Sequence, residues 1–227
     1  MIEALKNLDI DITDIDGILV THEHSDHVQG LGIVSKKYDI PVFANFETWN
    51  AMPNQLEKID EKNQKTFEND KEFQIGNLQI FPFSTPHDAA NPCGFSIASG
   101  HKKLSIATDL GHMEQNIFEN LKGSSFILLE SNYEPEVLKM SPYPYSLKQR
   151  IAGPHGHLSN NEAGQTISAL MYKDLKEVML GHLSKENNFP ELAYRTVTEE
   201  LMNNNIDTGD IRISVASRSN PSKIVIV

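Results

Sequence analysis

The sequence predicts an α/β fold, and three observations carry that expectation. Short apolar runs of four to eight residues alternate with longer amphipathic stretches along the chain. A run of β signals is followed by alternating helix and strand patterns, the order of one layered α/β or α+β domain. No internal repeat, low-complexity tract or linker rich in Pro, Gly or Ser divides the 227 residues, so a single domain over 1–227 is expected.

Residues 15–20 (IDGILV) read as a buried strand and 28–38 (VQGLGIVSKKY) as a short helix despite its glycines. Residues 41–44 make a short strand, after which Asn45 caps a helix running through Trp49. The polar stretch 53–70 reads as an irregular surface excursion. Strands follow at 72–75, at 78–83 beyond Gly76-Asn77, and at 94–98 and 103–108, the last two joined by a hairpin turn over Ser99-Gly100-His101-Lys102. From there helices over 114–121, 147–151, 160–172 and 190–203 alternate with strands over 125–130, 176–180, 211–215 and 223–227. Pro190 falls in the first turn of its helix, where the missing N–H costs nothing.

At 39% hydrophobic and 22% charged residues, the composition fits an ordinary globular core. No apolar run approaches the ~20 residues that cross a bilayer. The acidic start MIEALKNLDIDITD lacks the apolar stretch of a signal peptide. One cysteine, Cys93, excludes an internal disulfide framework, reads as a small buried residue and fits a cytoplasmic protein. With 20 Lys plus Arg against 31 Asp plus Glu, the formal charge is −11, opposite in sign to the usual nucleic-acid footprint. Nine histidines qualify that count, because metal held by them adds positive charge that it omits.

Thr21-His22-Glu23-His24-Ser25-Asp26-His27 follows directly on IDGILV. A polar loop at a strand's C-terminal end is where open α/β sheets place their sites. His22 and His24, two apart, face the same way in extended backbone, whereas Asp26 and His27 come after the chain turns and can face a second centre. Imidazole and carboxylate ligands suit Zn, Mn or Fe.

THEHSDH resembles the HxHxDH signature of the metallo-β-lactamase superfamily. That resemblance implies an αββα sandwich with a third histidine, a bridging aspartate and a last histidine after successive later strands. His87 in Ser84-Thr85-Pro86-His87-Asp88, Asp109 in Ala107-Thr108-Asp109-Leu110-Gly111-His112 and His182 in Leu180-Gly181-His182-Leu183-Ser184 stand in that order, each at an expected strand end. It further implies two divalent metal ions, Zn²⁺ or Mn²⁺. His22, His24 and His87 are assigned to the first, Asp26, His27 and His182 to the second, and Asp109 to both. Two metals roughly 3.5–4 Å apart can share a hydroxide and clamp an in-line displacement at phosphorus, so no side-chain nucleophile is required. Asp26 thus counts among the catalytic residues as well as the ligands.

The wider pattern resembles the WalJ/YycJ group of that superfamily. It is carried by Leu129-Glu130-Ser131-Asn132-Tyr133-Glu134, by Tyr143-Pro144 with Leu147-Lys148-Gln149-Arg150-Ile151, by Gly156-His157-Leu158-Ser159-Asn160, and by Gly181-His182-Leu183-Ser184-Lys185-Glu186-Asn187-Asn188. The likeness implies a DNA exonuclease-like phosphodiesterase in which His157 contacts the scissile phosphate or protonates the leaving oxygen. Asn132 and Arg150 become candidates to touch substrate or to support the ligands. Ser159 and Asn160 lie at a helix start whose backbone donors suit a phosphate, and His155 reads as a loop residue. The interval from Asp109 to His182 is too short for the inserted domain of β-CASP nucleases. Members of the group begin with further strands, so this sequence is expected to be N-terminally truncated relative to them and to leave a sheet edge exposed. Lys36-Lys37, Lys102-Lys103, Lys148, Arg150 and Lys185 offer a local basic rim for DNA. Two other readings stay open: a thioester or β-lactam hydrolase, the former as in glyoxalase II, and a non-catalytic regulatory paralogue.

Overall fold

In the computed structural model, which describes residues 2–172, 175–207 and 209–226, the chain divides into two units. One comprises the residues up to Ser84 with Ala89–Phe95; the other comprises Thr85–Asp88 with the chain from Ser96 onward.

The first unit runs α1 (Ile2–Lys6), β1 (Ile18–Leu19), α2 (Ser25–Val28), α3 (Leu31–Tyr38), β2 (Val42–Asn45), α4 (Phe46–Ala51), α5 (Pro53–Leu56), β3 (Gln64–Phe67), β4 (Phe73–Ile75) and β5 (Leu78–Ser84). β2 is the centre of a parallel sheet, with β1 on one side and β3 on the other. β4 and β5, the two strands expected on either side of Gly76-Asn77, pair antiparallel around it. The helix expected over 28–38 is broken in two. Gly30 adopts φ 84°, a left-handed conformation that glycine reaches without steric cost, and α3 starts afresh behind it. Asn45 caps α4 as expected, its side-chain oxygen accepting from Thr48 N at 2.9 Å.

The stretch 53–70 is a correction, since it holds α5, a 3₁₀ turn over Glu61–Asn63 and the whole of β3. β3 is an edge strand in which Phe67 alone is buried, so its sequence QKTF carries almost no apolar signal. Ile59 is also buried there, in a cluster with Val20, Val28, Leu31, Val42, Ala44, Trp49 and Met52. Trp49 satisfies its indole N–H on the carbonyl of Lys65 at 3.1 Å, which fastens α4 to β3. Full burial of a side chain such as Val, Leu, Ile or Met contributes ~1.5–3 kcal/mol, and this cluster fixes the strand end that carries THEHSDH.

β6 (Cys93–Ser99) leads into the second unit, followed by β7 (Lys102–Ala107), α6 (Gln115–Leu121), β8 (Phe126–Glu130), α7 (Pro135–Met140), α8 (Tyr145–Ile151), α9 (Asn160–Leu170), β9 (Glu177–Gly181), α10 (Pro190–Asn203) and β10 (Arg212–Val215). β7, β8, β9 and β10 lie side by side in that order, all parallel. β9 is buried along its whole length, as the continuous apolar run of a covered parallel strand requires. The C-terminal ends of β7, β8 and β9 therefore open on the same edge, where Asp109, Glu130 and His182 sit. α7 was not expected; Pro135 opens it at the position where proline is tolerated. The expected strand over 223–227 is absent from the described residues 223–226, and Val227 lies outside them.

Candidate metal centre

In the first unit, β1 delivers the histidine loop. Ile18 and Val20 donate their amides to the carbonyls of Pro41 and Phe43, so the chain leaves the sheet at Thr21. His22 is fully buried, and its ring centroid lies 4.6 Å from that of His24 and 4.1 Å from that of His27. The Thr21 hydroxyl lies 3.0 Å from His22 Nδ1 and 3.3 Å from His27 Nδ1. A hydroxyl oxygen has two lone pairs, so it can accept a hydrogen bond from both Nδ1–H groups, the tautomer in which Nε2 carries the lone pair. Asp26 and His27 fall in the single turn of α2, past the bend. Asp26 is largely exposed, with a carboxylate oxygen 3.8 Å from His27 Nε2. Cys93 is buried, its amide and thiol both donating to the Thr21 carbonyl, and burial pushes its thiol pKa far up.

The second unit gathers His87, Asp109, Glu130, His157 and His182. His182 follows β9 immediately and Asp109 follows β7 one residue on, beyond Thr108; both take left-handed backbone, φ 55° and 58° respectively. That conformation costs a residue with a Cβ of order 1–3 kcal/mol and turns the chain sharply at the strand end. His87 Nε2 lies 3.4 Å from Asp109 Oδ1, with His182 Nδ1 at 3.6 Å and His157 Nδ1 at 3.7 Å from the same oxygen.

Glu130 was not singled out from the sequence, yet it organises this cluster. It is fully buried, with Oε1 taking His182 Nδ1 at 2.7 Å and His157 Nδ1 at 2.9 Å. Its Oε2 accepts the amides of Leu110 at 2.8 Å and Leu158 at 3.1 Å. Burial raises the Glu130 pKa, but the hydrogen bonds and charges of His157 and His182 outweigh it and hold the carboxyl well below the usual range. For His87, burial dominates and pushes the imidazole below its ordinary value, with Asp109 opposing. A neutral ring is the form that binds metal.

The remaining candidates are bonded into the surrounding loops. Asn132 donates Nδ2 to the carbonyl of His182 at 2.7 Å, holding that left-handed residue in place. Asn160 is fully buried, with its amide donating to Glu134 and Asn188 and its carbonyl accepting from Ser131 and Asn188. Ser159 is the N-cap of α9, accepting from Glu162 N while Glu162 accepts from Ser159 N, and the Asn160 amide donates to the Tyr133 carbonyl. Arg150 grips Asp88 with two hydrogen bonds, 2.5 and 3.0 Å. His155 is exposed and offers its carbonyl to Asp88 N.

Close approach of two loops closes this arrangement. Gly111 lies against the 154–155 backbone: a Cβ there would sit 2.0 Å from the Pro154 carbonyl oxygen. Gly111→Ala is therefore expected to push the His157 loop off Asp109 and to cost about 1–3 kcal/mol, read by urea denaturation. Unchanged stability would show that the loop yields freely.

The donor set fits divalent metal. His182 commits Nδ1–H to Glu130, and His87 commits Nδ1–H to the Gly156 carbonyl at 3.0 Å, so each ring keeps Nε2 as its lone-pair donor. A carboxylate or carbonyl behind the ring is the usual support of a metal-binding histidine.

The Beta-lactamase superfamily domain family matches residues 3–182. The chain belongs to that family, and it is a metal-dependent hydrolase of the α/β metallo-β-lactamase fold. Its likeness is to the WalJ/YycJ proteins. It is 37% identical over 209 residues to exodeoxyribonuclease YycJ of Bacillus anthracis, covering 92% of this chain and 79% of that one. It is 36% identical over 198 residues to exodeoxyribonuclease WalJ of Streptococcus pneumoniae serotype 2, covering 86% and 74%. Zn(2+)-bound PqqB from Methylobacterium extorquens shares the fold, with a TM-score of 0.67 at 14% identity over 93% of this chain and 73% of that one.

Proposed function

We propose that the protein is a nuclease that hydrolyses phosphodiester bonds at DNA ends with two divalent metal ions, Zn²⁺ or Mn²⁺. The observation that carries this reading is the likeness to exodeoxyribonuclease YycJ over 92% of the chain. We read residues 1–227 as one metallo-β-lactamase-like domain. His22, His24 and His87 hold one ion, Asp26, His27 and His182 the other, and Asp109 both; motif order and the donor chemistry within each unit support the assignment. The metals, when bound, neutralise charge on the phosphate and lower the pKa of a water enough to make it a nucleophile at neutral pH.

The chain's own residues do the rest. Glu130 fixes the His157 and His182 rings and keeps their Nδ1 atoms protonated. That leaves His157 Nε2 to carry the proton handed to the leaving oxygen. Ser159 and Asn160 support the His157 loop from the start of α9. Among the described residues no helix is long and apolar enough to cross a membrane. A cytoplasmic location suits both a DNA substrate and a reduced Cys93.

Purified protein given Mn²⁺ or Zn²⁺ is expected to degrade single-stranded DNA and bis-p-nitrophenyl phosphate, and to lose both activities with a chelator. Turnover of S-lactoylglutathione alone would overturn the nuclease reading in favour of a thioester hydrolase. No hydrolysis after metal loading would make the chain a non-catalytic paralogue.

A further inference from the structure

A cleft of about 390 Å³ lies beside His182, lined among others by Ser184, Lys185, Phe189, Ser217 and Arg218. Its charge is opposite to that of the chain. Lys185 and Arg218 face it and none of its lining residues is acidic, although the protein as a whole carries −11. Its apolar element is the Phe189 ring, 52% exposed where a phenylalanine would ordinarily be covered.

That ring stands on a rigid base. Phe189 N donates to Asn188 Oδ1 at 3.0 Å, and the buried Asn188 donates Nδ2 to the carbonyls of Ser131 and Asn132 at 2.9 and 3.1 Å. Asn132 is the residue that holds the His182 carbonyl. The aromatic face and the candidate metal ligand thus hang from one hydrogen-bonded scaffold, which sets the distance between them. Arg218 is tied to the cleft by a hydrogen bond from its guanidinium to the Leu183 carbonyl. A guanidinium has five N–H donors, so that bond leaves it able to take a phosphate.

We infer that this cleft binds the nucleotide adjoining the cleaved bond of a single-stranded DNA end, its base stacked on Phe189 and its phosphate held by Lys185 and Arg218. The inference rests on the nuclease reading for its substrate and extends it to a residue-level subsite. A stacked aromatic face accepts any base but requires that base unpaired, which selects single strands without selecting sequence.

The test is fluorescence anisotropy with a labelled, hydrolysis-resistant phosphorothioate oligodeoxythymidylate and the metal-loaded protein. Phe189→Ala is expected to weaken binding roughly 5–150-fold, the range for loss of one stacked base, while Phe189→Trp binds like the wild type. An oligonucleotide lacking its terminal base should bind the wild type as weakly as the intact one binds Phe189→Ala. Arg218→Gln and Lys185→Gln should each flatten the salt dependence by about 0.7 in log–log slope. Binding by Phe189→Ala within twofold of wild type would overturn the subsite. If the wild type cleaves DNA in that case, the nuclease reading survives alone. If Phe189→Ala binds weakly but the wild type cleaves no phosphodiester, the cleft stands as a single-strand site and the nuclease reading falls.

Discussion

Glu130→Gln is expected to raise the dissociation constant for metal about 10–100-fold and to lower the unfolding free energy by about 2–6 kcal/mol. The reason is a count of donors. Glu130 receives four N–H groups, two from imidazoles on one oxygen and two from backbone amides on the other. A glutamine offers one acceptor oxygen and an NH₂ of its own, so whichever way it lies it confronts two donors with a third. Two buried N–H groups lose their acceptor, at about 1–3 kcal/mol each. The rings of His157 and His182 also lose the carboxylate that fixes their tautomer. Metal content by mass spectrometry and urea denaturation read the two effects separately. Wild-type values in both would show that Glu130 is an ordinary core residue.

The second large effect belongs to His157. His157→Ala should reduce DNA turnover about 10²–10⁴-fold, the usual worth of a positioned acid or base, while leaving metal stoichiometry at the wild-type level. The two halves discriminate between roles. His157 shares with Asp109, Glu130 and His182 a set of donor atoms all within 4.8 Å of one another, a spacing that also suits a ligand. A variant that loses metal together with activity would therefore make His157 a ligand and leave the proton transfer without its donor. Turnover of a substrate whose leaving group needs no proton, such as bis-p-nitrophenyl phosphate, should fall much less than turnover of DNA.

The α/β class and most elements were legible because their signals are local. The loop THEHSDH sits at the end of an apolar run, and Asn45 caps its helix through a bond to a residue three positions on. What escaped was non-local or cryptic. β3 is an edge strand of mostly polar residues, so no window of sequence separates it from a loop. Glu130 could be read only as a charged residue closing the apolar run FILLE. Its imidazole partners are 27 and 52 positions away, and nothing in the chain announces them. The same distance hid the scaffold roles of Asn132 and Asn160. Both stand in motifs that the resemblance flagged, but residues alone do not tell a hand on the substrate from a hand on a neighbouring loop.

The left-handed backbone at Asp109 and His182 has an outcome for how such a protein can diversify. Each residue turns the chain within two positions of the end of β7 or β9, so its place is set chiefly by that strand. In the segments downstream, the residues that do not bond back to the site can then change more freely than Leu110, Gly111 and Asn188, which the site itself uses. A lineage built this way can retailor its choice of substrate in those segments while the chemistry stays where it is, and grafting a relative's 183–189 loop onto this chain is the direct way to watch that happen.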